Sequence, residues 1–267
     1  MRTNNKIATI TLPGILTLLL SGQVMADWSW DFTSAYTGNS SGMSFDGSGG
    51  APDVSVTGWS NANYASGSGS SSYGTGDLVQ RNLAQWSGGL GVYSGEDWGS
   101  PSHAMDNQYR IDAILLSFGG TAVTLNQVKF GWNDNGGTDT DFSLSAYTGG
   151  GSTNLSSMEY ADLASSGWTT IGSYYDAGTS VKSVNVGDVS SSYWLISALN
   201  PNLGGTSNTN FYGNDFFKLT GAAGIGPSTT TEVPEPSTLL LLGGVLLILS
   251  LRSRAANNRQ SGYTVQV

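Results

Sequence analysis

The sequence predicts an all-β fold, an antiparallel β-sandwich or jelly-roll-like body, and three observations carry that reading. Apolar and polar residues alternate at a period of two along much of the chain, the spacing of strands with one wet face, and helical spacing is nearly absent. The 38 glycines, set among many serines, cut the chain into short segments and leave little room for long helices. There is no cysteine, which removes disulfides, thiolate nucleophiles and cysteine metal sites together. Stability must then come from sheet packing, for which 8 Trp, 12 Tyr and 8 Phe supply large apolar rings.

Taken in order, the chain opens with Arg2 and Lys6 ahead of an apolar segment at 7–20 that is interrupted by Pro13-Gly14. Val24-Met25-Ala26 presents the small residues that a signal peptidase reads, so residues 1–26 are predicted to be a signal peptide for the Sec export pathway, cut between Ala26 and Asp27. The body is predicted to span 27–220. Its first strand is Trp28-Ser29-Trp30-Asp31-Phe32, where aromatics alternate with polar residues. Residues 38–76 are dense in Gly, Ser and Asn, with apolar islands at Val54-Ser55-Val56 and Trp59, so strands there should be short.

Gly89-Leu90-Gly91-Val92-Tyr93 begins the most regular part. Asp112-Ala113-Ile114-Leu115-Leu116-Ser117-Phe118 is apolar at consecutive positions, as expected of a strand covered on both faces. After Gly119-Gly120, Val123 and Leu125 alternate with threonines, Val128 to Trp132 forms another strand, and a polar turn leads into Phe142-Ser143-Leu144-Ser145-Ala146-Tyr147. Strands follow at 168–171, 181–186, 193–198 and 215–219, with one short helix predicted at 158–164. Residues 221–232, made mostly of Gly, Ala, Ser and Thr, are predicted to be a flexible linker.

Charge narrows the partners. Between Asp27 and Glu235 there are nineteen acids against five bases (Arg81, Arg110, Lys129, Lys182, Lys218), which leaves −14 on the exported body. Such a surface repels phosphate backbones, so nucleic acid is excluded as a partner. It attracts divalent cations instead.

The C-terminal stretch has a distinct grammar. Val233-Pro234-Glu235-Pro236 stiffens the chain and blocks helix at its own positions. Then Thr238-Leu239-Leu240-Leu241-Leu242-Gly243-Gly244-Val245-Leu246-Leu247-Ile248-Leu249-Ser250-Leu251 forms an apolar run predicted to be a transmembrane helix, closed by the basic cluster Arg252, Arg254 and Arg259 at the cytoplasmic side. A polar tail occupies 260–267. From Pro236 to Leu251 there are sixteen residues, about 24 Å of helix, short of a hydrocarbon core of roughly 30 Å. Snorkelling arginines and local thinning close that gap.

This order of motif, helix and basic cluster at 233–259 resembles the PEP-CTERM sorting signal of Gram-negative surface proteins. The resemblance implies recognition and processing by exosortase, a membrane transpeptidase-like enzyme. It further implies an inner-membrane intermediate, and then the outer surface or the extracellular matrix. Within the body, Leu90-Gly91-Val92, Pro101-Ser102-His103-Ala104-Met105-Asp106-Asn107, Leu115-Leu116-Ser117-Phe118, Val128 through Gly131-Trp132 and Ala146-Tyr147-Thr148-Gly149 resemble a group of exosortase-dependent surface proteins. That second likeness covers about a quarter of the chain and brings no reaction with it. Exosortase systems accompany exopolysaccharide production, so a place in a biofilm matrix is what the resemblance implies.

The chemistry available in the body is sparse. His103 is the sole histidine, so any imidazole site must use it, but no Gly-x-Ser-x-Gly elbow accompanies it. The stronger reading is a ring bonded to backbone or to Asp106 that fixes a loop. Asp106, Asn107 and Asp112, near Glu96 and Asp97, offer the hard oxygen ligands that structural Ca²⁺ takes. Asp134, Asp139 and Asp141, with Asn135, form a second calcium candidate that lacks the EF-hand pattern. Glu96 and Asp97 make a poor glycosidase pair, because adjacent strand residues face opposite ways. Trp59, Trp86, Trp98, Trp132 and Trp168 are candidate platforms for sugar rings, and Trp98, in a polar loop, is the one expected to be exposed. The expectation is a noncatalytic exported protein, with exosortase and signal peptidase as processing partners. The alternative is a carbohydrate-binding module or weak glycan hydrolase acting on the exopolysaccharide.

Overall fold

The computed structural model describes residues 27–33, 38–65, 70–94, 103–133, 139–149, 153–204 and 213–227. In them, all strand pairing is antiparallel and joins one continuous sheet. The first strands are β1 (Asp27–Asp31), β2 (Gly38–Ser40), β3 (Met43–Phe45), β4 (Gly47–Ser48), β5 (Val54–Asn61), β6 (Leu78–Trp86), β7 (Gly89–Tyr93) and β8 (Met105–Asp106). The later strands are β9 (Asp112–Ser117), β10 (Thr124–Asn133), β11 (Phe142–Tyr147), β12 (Trp168–Tyr174), β13 (Val181–Ser183), β14 (Tyr193–Ala198) and β15 (Phe216–Ile225).

The sheet turns over along β6. Its residues from Leu78 to Arg81 pair with β5, and those from Asn82 to Trp86 pair with β7. One half of the sheet is therefore ordered β12-β11-β14-β9-β5, and the other is built on β7, β15, β1 and β10. Their inner faces share the main core, with Val56, Ile114, Leu144 and Ile196 from the first half meeting Leu83, Phe130, Phe217 and Leu219 from the second. Ring contacts fasten the halves together: Trp30 lies 4.7 Å from Phe118 and Phe130 lies 5.0 Å from Phe142. Each fully buried ring or branched chain contributes roughly 1.5–3 kcal/mol, and no disulfide supplements them.

β9 is covered on both faces, as its unbroken apolar run predicts. Ile114 and Leu116 enter the main core, while Ala113 and Leu115 join a second cluster with Trp59, Leu155, Tyr160, Leu163 and Trp168. The cover for this outer face is the segment before β12, where the sequence suggests one helix at 158–164. Two 3₁₀ turns stand there instead, Tyr160–Asp162 and Ala164–Ser166. A reciprocal cap between Glu159 and Asp162 starts the first, and Gly167 at φ 96° stops the second before an α-helical turn is completed.

β15 corrects the predicted body boundary. The sequence reading ends the body at 220 and begins a linker at 221, yet residues 221 to 225 are strand, held between β1 and β10 through Asp27↔Ile225 and Thr124↔Ile225. The Gly and Ala content that suggests a linker serves close packing. A Cβ on Gly224 would lie 2.7 Å from the Thr124 carbonyl oxygen. The first and last strands of the body thus run side by side, and the chain enters and leaves at the same end.

Among the described residues, no helix is long and apolar enough to cross a membrane. The predicted signal peptide, sorting motif, transmembrane run and basic cluster lie outside the described residues, as do residues 228–232 of the predicted linker.

Candidate functional site

The end of the body opposite that exit gathers most of its buried polar chemistry. β8 pairs with the start of β15 through Asp106↔Phe216 and Met105↔Phe217, which brings Asn107 beside Asp215. The Asp215 amide donates to Asn107 Oδ1 at 3.1 Å, and Asn107 Nδ2 donates back to Asp215 Oδ2. A parallel bridge joins Asp139 to Asp215, with the Asp139 amide on the Asn214 carbonyl at 3.0 Å and the Phe216 amide on the Asp139 carbonyl at 3.1 Å. Two residues on, the Asp141 amide donates to Asp215 Oδ1 at 3.1 Å. Asp176, in the left-handed region at φ 49°, donates its amide to Asp141 Oδ1 at 2.7 Å.

The result is three carboxyl groups, from Asp139, Asp141 and Asp215, with one oxygen of each within 4.8 Å of the others. Asp141 and Asp215 are fully buried and Asp139 is half-buried. Burial pushes the Asp215 carboxyl up to about 8, and the Asp141 charge adds to the effect against hydrogen bonds from the Asp141 amide and Asn107. Burial likewise raises Asp141 to about 7, helped by Asp139 and opposed by the Asp176 amide. Tyr73, whose hydroxyl donates to the Asn107 carbonyl, is held above the ordinary phenol range by burial and then by Asp215 and Asp106.

The two calcium candidates read from the sequence are therefore redrawn. Asn107 comes from the first and Asp139 and Asp141 from the second, while Asp215, read only as the start of a strand, joins them. Asp106 and Asp112 do not belong to the acidic cluster. The Asp106 carboxylate turns to its own loop and accepts the Gln108 amide at 3.0 Å. Asp112 is buried on β9 opposite Ser60 and sits near Tyr160, whose phenol is raised by burial first and by Asp112 second. Asp134, Glu96, Asp97 and Trp98 lie outside the described residues.

The aromatic candidates divide cleanly. Trp59 and Trp168 are buried in the second cluster and serve as core. Trp132 is half-buried under Lys218, whose Nζ stands 5.6 Å from the ring centroid. Trp86 is 41% exposed, and His103 stacks beside it at 6.2 Å while meeting Tyr93 edge-on at 4.8 Å. His103 itself has φ 61°. Its segment crosses β7 so closely that a Cβ on Gly91 would lie 1.9 Å from the His103 carbonyl oxygen.

Against this geometry, the family model of the PEP-CTERM protein-sorting motif matches residues 232–255. The chain carries a PEP-CTERM sorting signal. The match takes in Val233-Pro234-Glu235-Pro236, the apolar run and Arg252 and Arg254, and it stops short of Arg259. A PEP-CTERM signal implies export, membrane-anchored sorting and processing by exosortase. No curated protein matches the chain. Among solved structures, a mutant Ruminococcus gnavus GH29 fucosidase in complex with fucose is similar over 52% of this chain and 22% of that chain, at 12% identity and a TM-score of 0.27. A likeness of that size carries no argument about the body of this PEP-CTERM chain.

Proposed function

We propose that this is a noncatalytic surface or extracellular-matrix protein, exported through the Sec pathway, held in the inner membrane by its C-terminal helix, and then released or attached by exosortase into an exopolysaccharide matrix. The sorting motif at 232–255 is the observation that carries the reading. The fold supports it, because β1 and β15 are neighbours and the chain leaves the body beside the residue where the exported chain begins. Only seven residues separate Ile225 from Val233, a reach of at most about 25 Å. On this reading the body stands close to the membrane while the tail is processed.

The test is fractionation of cells that contain exosortase. Intact chain accumulates on the surface or in the medium, and a variant with Pro234→Ala, Glu235→Ala and Pro236→Ala together stays in the inner membrane. Equal amounts outside the cell for both would overturn the proposal.

One observation favours a second reading, a carbohydrate-binding body. Trp86 offers an exposed ring backed by His103, and a flat exposed ring of this kind stacks on sugar faces. Saturable binding of the intact chain to a glycan array, abolished by Trp86→Ala, would support it; binding that survives the substitution, or no binding, would not.

A further inference from the structure

We infer that Asp139, Asp141 and Asp215 hold a calcium ion at the end of the body opposite the chain exit at Ile225. The distance follows from β15, whose ten residues run from the acidic cluster at Phe216 to the exit at Ile225, about 30 Å at strand rise. Three carboxyl groups from two segments far apart in the sequence, Asp139 with Asp141 and Asp215, meet within 4.8 Å. A second observation says that something positive belongs among them. Asp141 Oδ1 is taken by the Asp176 amide, but Oδ2, fully buried, has no hydrogen-bond partner among the described residues. Its carboxyl group abuts that of Asp139, acceptor against acceptor. Two such groups can share only a proton or a cation, and a divalent cation satisfies them together with the buried third carboxyl of Asp215.

The donor set chooses the ion. Every candidate ligand is a hard oxygen, with neither thiolate nor imidazole in the cluster, which selects against zinc and copper. Several of these oxygens are already tied to backbone amides and cannot rearrange into a regular octahedron. That irregularity suits calcium, with its flexible shell of six to eight oxygens, better than magnesium. A cation there joins the entry of β11 to the start of β15, and through Asn107 it reaches β8.

The experiment uses the intact chain, purified in detergent, stripped with EGTA and followed by thermal unfolding and by equilibrium dialysis at pH 7.5. The expected result is one calcium per chain and a midpoint about 5–10 °C higher at calcium roughly 100-fold above its dissociation constant. Asp139→Asn, on the half-exposed side of the cluster, should fold normally by circular dichroism and lose both effects. Asp215→Asn should lose them as well, and if it fails to fold, Asp139→Asn alone decides. A midpoint that calcium leaves unmoved in the wild type, showing that a shared proton suffices, would overturn the inference. So would undiminished calcium uptake by Asp139→Asn, or an equal rise with magnesium at the same concentration.

Discussion

Asp141 illustrates how far a buried carboxyl depends on what surrounds it. Asp139 and Asp215 face it with like charge, the Asp176 amide supports its Oδ1, and Tyr73 with Asp106 lies beyond Asn107. Its folded value of about 7, and that of Asp215 of about 8, stand above the ordinary 3.8. Without divalent cation, the folded chain therefore keeps protons that the unfolded chain releases between about pH 4 and pH 8. Stability must fall as pH rises through that window and level off above it. We expect the unfolding midpoint in EGTA to be lower at pH 8 than at pH 5. Asp141→Asn, which replaces an ionising acceptor by an amide that can donate to Asp139, should flatten the slope by on the order of 2–4 kcal/mol. A variant whose pH profile matches the wild type would show that Asp141 is not the titrating group. Composition shows the acids, but their grouping was only half legible. Asp139 and Asp141 stand two apart and were readable as a pair, whereas Asp215 reaches them through a bridge across 76 positions of sequence, which no local spacing reveals.

At the scale of the element, β9 and its cover show what patterning can carry. Four apolar residues in a row, Ala113 to Leu116, require two apolar faces, and the second face is supplied by Leu155, Tyr160, Leu163 and Trp168. Tyr160 also donates its hydroxyl to the Ile111 carbonyl at 2.8 Å, fully buried. Tyr160→Phe keeps the ring and strands that carbonyl, at a cost of about 1–3 kcal/mol. Chemical denaturation should show a lower midpoint at unchanged m-value, and an unchanged midpoint would mean the bond contributes nothing. Elsewhere the same patterning rules misled. Gly221-Ala222-Ala223-Gly224 has the composition of a linker, but in β15 those small residues let Trp28 and Trp30 of β1 on one edge and Thr124 of β10 on the other draw close. Composition cannot distinguish a segment with nothing to pack against from one packed too tightly for side chains.

For the molecule as a whole, the all-β class was legible because apolar and polar residues alternate at a period of two between Gly- and Ser-rich turns, with helical spacing nearly absent. The pairing order was not, since β15 is flanked by strands from both ends of the sequence and β6 belongs to both halves of the sheet. What the whole architecture produces is polarity. Both chain ends of the body lie at one end, and the buried acidic cluster sits at the other. β15 closes the sheet before the sorting signal begins, so under the proposed processing the body keeps its fold when the tail is removed.

Mass spectrometry of the chain recovered from the cell exterior tests this account most directly. It predicts a mature form beginning at Asp27 and ending within or close to residues 233–236, replaced in cells lacking exosortase by a membrane-bound form that retains the arginine-containing tail. An exterior chain carrying that tail intact, in the same quantity with and without the enzyme, would contradict it.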